Sequence, residues 1–204
     1  MVIFEYNKEW PIHFNKIKKE LENNLSSFYK IEYVGSTAIK GMCAKPIIDV
    51  VIVVKDDNDF IQIKNELKIL FGYYHVGDWG IIGREVFKRK NNFRKESIRE
   101  QELMKNDIYK TKGNKTSEIL DTIDHNLYVC KMYAEELERY ILFRDYLNKN
   151  NDEMLRYYKI KQEIIREYGN EDYEIYNRIK EEKYSQFFIE IIDKAKKDNN
   201  ILKY

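Results

Sequence analysis

The 204-residue sequence predicts an α+β fold, with a mixed β-sheet core led in by an N-terminal helix and followed by a C-terminal three-helix extension. Three stretches carry that prediction. Residues 46–54, Pro-Ile-Ile-Asp-Val-Val-Ile-Val-Val, form a branched apolar run that reads as a strand covered on both faces. Residues 83–90 alternate apolar and charged side chains, as a half-exposed strand does. From Lys131 onward the apolar residues recur at steps of three and four, the period of helices packed along one face.

Taken in order, Trp10, Phe14, Ile17, Leu21 and Leu25 predict an amphipathic helix over 9–25, with Pro11 suited to its first turn. His13 lies on it; a lone helical histidine is more often a surface or packing residue than a ligand. Strands are expected over 30–35 and 46–54. The cluster Asp56-Asp57-Asn58-Asp59 then caps a helix bearing Phe60, Ile63, Leu67 and Leu70, and acids in a first helical turn need no metal to explain them. Residues 71–76 end that helix and begin another strand, and Gly77-Asp78-Trp79-Gly80 is a turn. In the strand over 83–90, Arg84, Val86, Lys88 and Lys90 share one face, and Glu85, Phe87 and Arg89 the other. That row of cations reads either as a protected strand edge or as an anion contact.

Residues 91–123 are polar and mixed in charge, with a short helix expected around 97–104 and a Lys-Gly-Asn-Lys segment at 112–115 able to reach a phosphate. Asp124-His125-Asn126-Leu127-Tyr128-Val129-Cys130 resumes strand character. Asp124 is a turn residue or a spare carboxylate there, and His125 a ligand or a base that titrates near neutrality. Three helices follow. Tyr133, Leu137, Tyr140, Ile141 and Leu147 mark the first; Leu155, Tyr158, Ile164 and Ile165 the second; Tyr173, Tyr176, Ile179, Phe187, Phe188, Ile191 and Ile192 the third. The charges of Arg144, Asp145 and Lys161 on these helices suit surface pairing.

Composition narrows the function classes. The 36 basic and 35 acidic residues nearly cancel, so charge gives no reason to expect a nucleic-acid or anionic-membrane partner. The longest apolar run falls well short of the ~20 residues that cross a bilayer, and two distant cysteines are the usage of a reducing compartment. A cytoplasmic, membrane-free protein is expected.

The chemistry centres on Asp49. An ionised carboxylate in a covered strand costs several kcal/mol unless something pairs with it, so Asp49 calls for a cation or a ring of donors. Upstream, Gly35 lets backbone N–H groups approach a phosphate, and the helical turn opened by Ser36 points its donors the same way. A phosphate cradle and a metal-ready acid can thus sit side by side.

Gly35-Ser36 after a strand, followed at this distance by an acid in an apolar strand, resembles the signature of the nucleotidyltransferase superfamily. The fuller string from Gly35 to Val50, above all Lys45-Pro46-x-x-Asp49, is similar more narrowly to the GrpB family within it. Tyr6-x-x-x-Trp10-Pro11, Gly80-Ile81-Ile82-Gly83-Arg84 and Leu142-Phe143-Arg144-Asp145-Tyr146-Leu147 extend the likeness over nearly the whole chain. The resemblance implies a nucleotidyltransferase-like core over 1–130, with 91–123 inserted where the family makes a short turn, and a helical region over 131–204 packed on that core. It implies a nucleotide or other phosphorylated small molecule as partner, bound by Gly35, Ser36, Thr37, Lys45, Arg84, Lys90, Arg144 and Lys161. It further implies Mg2+ or Mn2+ on Asp49 and Asp124, and nucleotidyl transfer to an acceptor with Asp49 and His125 as catalytic groups. The departures are chemical. Val51 stands where a second strand acid is needed, and Asn126 and Tyr128 replace histidines of the family's strand. A binding module that does not turn its ligand over is the alternative reading.

Overall fold

The computed structural model describes residues 3–89, 117–170 and 172–198. Lys90, the helix expected around 97–104 and the 112–115 segment lie outside the described residues. In chain order the elements are α1 (Glu9–Glu22), β1 (Lys30–Val34), a 3-10 turn (Ser36–Ala38), β2 (Ile48–Val54), α2 (Asp57–Phe71), β3 (Tyr74–Gly77), β4 (Arg84–Lys88), α3 (Glu118–Thr122), β5 (His125–Lys131), α4 (Glu135–Lys149), α5 (Asn151–Tyr168) and α6 (Tyr173–Lys197). The fold is α+β, with a five-stranded sheet of order β1-β2-β5-β4-β3. β2 and β5 run parallel, with Ile48 opposite His125 and Val54 opposite Lys131, whereas β4 is antiparallel to both β5 and β3. The sheet is therefore mixed. As its apolar run requires, β2 lies between two strands, and every residue in it except Asp49 is buried.

The chain divides into two compact units that are discontinuous in sequence. The first comprises Met1–Trp10, Val34–Pro46 and Glu138–Tyr204, and the second Pro11–Tyr33 and Ile47–Leu137. The expected boundary at 130/131 falls within the second of these units.

In the second unit, the Asp56 carboxylate caps α2 by accepting from the N–H groups of Asn58 and Asp59 at 2.9 and 3.0 Å, the role that the acid cluster predicts. Ile63, Leu67 and Phe71 form the buried stripe of α2, and Phe60 meets Phe87 and His75 edge to face. α2 therefore covers the sheet face that carries Phe87. Phe14 stacks on Tyr33 at 4.5 Å and ties α1 to β1.

In the first unit, α5 and α6 pack with Tyr157 stacked on Phe187 at 5.5 Å. The α5 stripe differs from the one read in the sequence. Met154, Tyr157, Ile160, Lys161 and Ile164 are buried, while Leu155 is 42 % exposed. The stripe is turned by one residue because a lysine occupies a core position, which a reading by apolarity alone skips. Tyr133, assigned to the first C-terminal helix, precedes α4 and is exposed. Among the described residues no helix is long and apolar enough to cross a membrane.

Candidate functional site

Strand register divides the polar side chains of the second unit between two faces. Asp49 lies opposite Asn126 and Val51 opposite Tyr128, while Tyr128 lies opposite Val86 and Cys130 opposite Arg84. Because directly opposed residues point the same way, Asp49, Asn126, Tyr128, Arg84, Val86 and Lys88 share one face. His125, opposite Ile48, belongs to the other.

On the first of these faces, Asn126 donates from Nδ2 to Asp49 Oδ1 at 2.7 Å. The half-buried carboxylate that called for a partner thus has an amide beside it, one strand over. Arg84 is 8 % exposed, its guanidinium lies 5.4 Å from the Tyr128 ring centroid, and Nη2 donates to the Asp78 carbonyl at 3.3 Å. Lys88 Nζ sits 5.5 Å from the Trp79 ring centroid. Tyr74, Val76, Val86 and Tyr128 form the apolar floor between them.

The opposite face is closed. His125 Nδ1 bonds the Ile123 carbonyl at 2.6 Å and Nε2 bonds the Tyr73 hydroxyl, so both ring nitrogens are engaged. Burial raises the Tyr73 hydroxyl well above the ordinary phenol range, which keeps it protonated as a donor to Nε2. Arg89 bonds the Phe71 carbonyl and pairs with Asp121 at 2.6 Å, and His75 pairs with Glu85 at 2.5 Å. His125 therefore does not share a site with Asp49: the two expected catalytic groups point to opposite sides of the sheet, a consequence of their registers differing by one residue. Asp124 immediately precedes β5, and its carbonyl accepts from the Ile48 N–H at 3.0 Å.

The first unit holds the other predicted residues. Gly35 adopts φ 76°, ψ −176°, a region essentially restricted to glycine, and it opens the 3-10 turn at Ser36. Thr37 is buried. Lys161, expected at the surface, is 2 % exposed; its Nζ donates to Ser36 Oγ at 2.7 Å and to the Cys43 carbonyl at 2.8 Å, and lies 4.7 Å from the Tyr157 ring centroid. Burial raises the Cys43 thiol, with Lys161 opposing that shift. Lys45 Nζ donates to Asn177 Oδ1 at 3.4 Å, and Arg144 Nε to its neighbour Asp145 at 2.7 Å. The structure thus brings Ser36 and Lys161 into direct contact. Arg144 faces a carboxylate instead.

Mg2+ and Mn2+ take six hard oxygen ligands and lean on carboxylates. Asp49 is bonded to an amide and Val51 stands two positions on; among the described residues no three His, Cys, Asp or Glu side chains are grouped to hold a metal ion. A group of acids of the size a two-metal centre uses is therefore not present among the described residues. Asn126, Tyr128 and Trp79 are the members of the Asp49 face that sequence reasoning passed over as site residues. Counting back from the β2–β5 register is the signal that finds the first two.

Comparison with known proteins supplies the lineage. The GrpB protein family matches residues 1–194. The chain is 29 % identical over 194 residues to the Glutamate-rich protein GrpB of Alkalihalophilus pseudofirmus, covering 95 % of this chain and 94 % of that one. It is 28 % identical over 165 residues to the UPF0157 protein BH1888 of Halalkalibacterium halodurans, covering 80 % and 69 %. The crystal structure of conserved protein GrpB from Enterococcus faecalis shares the fold with a TM-score of 0.66 at 21 % identity, over 95 % of this chain and 96 % of that one. A match of this extent places the chain in the GrpB protein family.

Proposed function

We propose that this chain binds a nucleotide or other phosphorylated small molecule on the Asp49 face of its sheet and does not turn it over by two-metal nucleotidyl transfer. The observation that carries the reading is the composition of that face. Two cations, Arg84 and Lys88, each lie against an aromatic ring, while Asp49, the strand acid that metal chemistry needs, is bonded to Asn126 and has Val51 two positions on. A guanidinium offers a planar fork and an ammonium a point charge to phosphate oxygens, and low-dielectric surroundings strengthen both. Asp49 and Asn126 together offer an acceptor and a donor to a ligand hydroxyl. In this reading a magnesium or manganese ion enters only as a counter-ion carried by the phosphates.

Isothermal titration with ATP and with tripolyphosphate, in EDTA and in Mg2+, tests it, coupled to an assay for pyrophosphate release. Binding that persists in EDTA, without pyrophosphate release and weakened about tenfold by Lys88→Ala, is the expected result. Metal-dependent affinity followed by pyrophosphate release would instead establish nucleotidyl transfer, with Asp49→Asn abolishing the metal dependence. Absence of binding to either probe overturns both readings.

A further inference from the structure

We infer that Trp79 is a stacking platform for an aromatic base, which makes the ligand a nucleotide rather than a sugar phosphate or bare polyphosphate; this rests on the phosphate-binding reading above. The first observation is conformational. Trp79 has φ 52°, and among the described residues it is the one non-glycine with positive φ. Its turn is already explained without it, because Asp78 Oδ1 accepts from the Gly80 N–H at 2.8 Å in an Asx turn. Glycine or asparagine suits the left-handed position, and a bulky side chain there is strained.

Packing does not explain the choice of residue either. Trp79 remains 55 % exposed, whereas the chain's other tryptophan, Trp10, is 2 % exposed in the first unit. A strained, exposed indole is a costly way to make a turn.

The second observation is position. Arg84 and Lys88 stand at opposite ends of β4, on the face that carries Asp49. The Arg84 guanidinium reaches the Asp78 carbonyl, and the Lys88 ammonium lies over the indole of the next residue. Side chains from both ends of the strand can meet adjacent turn residues only if the turn folds back along the cation row. The ring therefore borders the place where phosphates are expected, beside the second cation–aromatic pair, Arg84 on Tyr128. A base stacked on Trp79 leaves its phosphate chain within reach of Lys88 and Arg84, the division of labour by which aromatic platforms and basic grooves hold nucleotides without reading the base edge.

The test compares ATP with tripolyphosphate, which keeps the phosphates and lacks the base, on the full chain by titration calorimetry and by tryptophan fluorescence. Trp79→Asn suits the left-handed backbone and keeps the fold, and Trp79→Phe keeps a ring. ATP is expected to bind about tenfold more tightly than tripolyphosphate and to quench the emission. Trp79→Asn should erase that difference by weakening ATP alone, and Trp79→Phe should retain most of it. Equal affinities of the parent for both probes, or a Trp79→Asn effect that is nil or the same on both, overturns the platform and leaves phosphate binding standing. If neither probe binds the parent, the platform and the reading beneath it fall together.

Discussion

Lys161 in the first unit and Lys88 in the second are both ammonium groups set over an aromatic ring, at 4.7 Å from Tyr157 and 5.5 Å from Trp79. Their surroundings differ in kind. Lys161 is 2 % exposed and directs its protons at Ser36 Oγ and the Cys43 carbonyl, so it ties α5 to the Gly35 bend. Lys88 is half-buried beside an indole left 55 % exposed. The groups around Lys161 accept its hydrogen bonds, while an ammonium at an exposed ring lies where a ligand can reach it. Residue type does not separate the two cases; exposure does. The sheet itself repeats the lesson. The His125 face is covered by α2 and its polar atoms bond one another, while the Asp49 face gathers cations against rings.

The strongest way to break the comparison is to remove Lys161. Lys161→Met keeps the apolar stem but leaves the Cys43 carbonyl and the Ser36 hydroxyl without this donor, so the variant should lose roughly 3 kcal/mol of unfolding free energy. Urea unfolding measures that loss, and tripolyphosphate titration of the folded fraction should match the parent. Near-parental stability with lost tripolyphosphate binding would turn Lys161 into a ligand residue and undo the distinction.

A second test acts on the turn that carries Trp79. Gly83 has φ 82°, and a Cβ there would meet the Ala134 Cβ at 2.9 Å. Left-handed backbone and overpacking both oppose an alanine, so Gly83→Ala should cost about 2 kcal/mol in the same unfolding experiment. It should also weaken ATP by displacing the turn next to Arg84. A stable Gly83→Ala chain with parental ATP affinity would show that the turn's geometry does not matter to the ligand.

These tests follow from placements that the sequence only half discloses. The sheet was legible because β2 needs cover on both faces and β4 alternates, and the α2 cap because acids before an apolar period have a local role. Asp49 stood out as a lone acid in an apolar run. Its neighbours did not. Asn126 and Tyr128 come beside it only through the β2–β5 register, a long-range pairing that local pattern does not encode, and the same register sends His125 to the far side. Lys161 is hidden for a different reason. Apolar residues alone set one helical phase, and a lysine that belongs to the buried stripe shifts it by one position, exposing Leu155. Trp79 lay in a turn recognised by its glycines, and nothing in the sequence announces its backbone strain.

The smallest effect belongs to a third setting for a cation over a ring. Arg156 lies 5.0 Å from the Phe187 centroid and forks onto Glu190 with two 2.8 Å bonds, and Lys194 adds a third contact at 2.7 Å. Hydrogen bonds from Arg156 and then Lys194 hold the Glu190 carboxyl down at about 2 against its ordinary 4.5. A carboxyl depressed on folding contributes stability above its unfolded value, and that contribution fades as pH falls through its folded one. The pairing of α5 with α6 should therefore weaken between about pH 5 and pH 2, and Glu190→Gln should flatten that part of the stability profile. Because Arg156 is exposed and Glu190 only half-buried, the difference between parent and variant should be slight at low ionic strength and vanish in added salt. A large, salt-resistant difference in the urea midpoint would mean that this exposed fork is as structural as Lys161, and that exposure does not sort the cations of this chain.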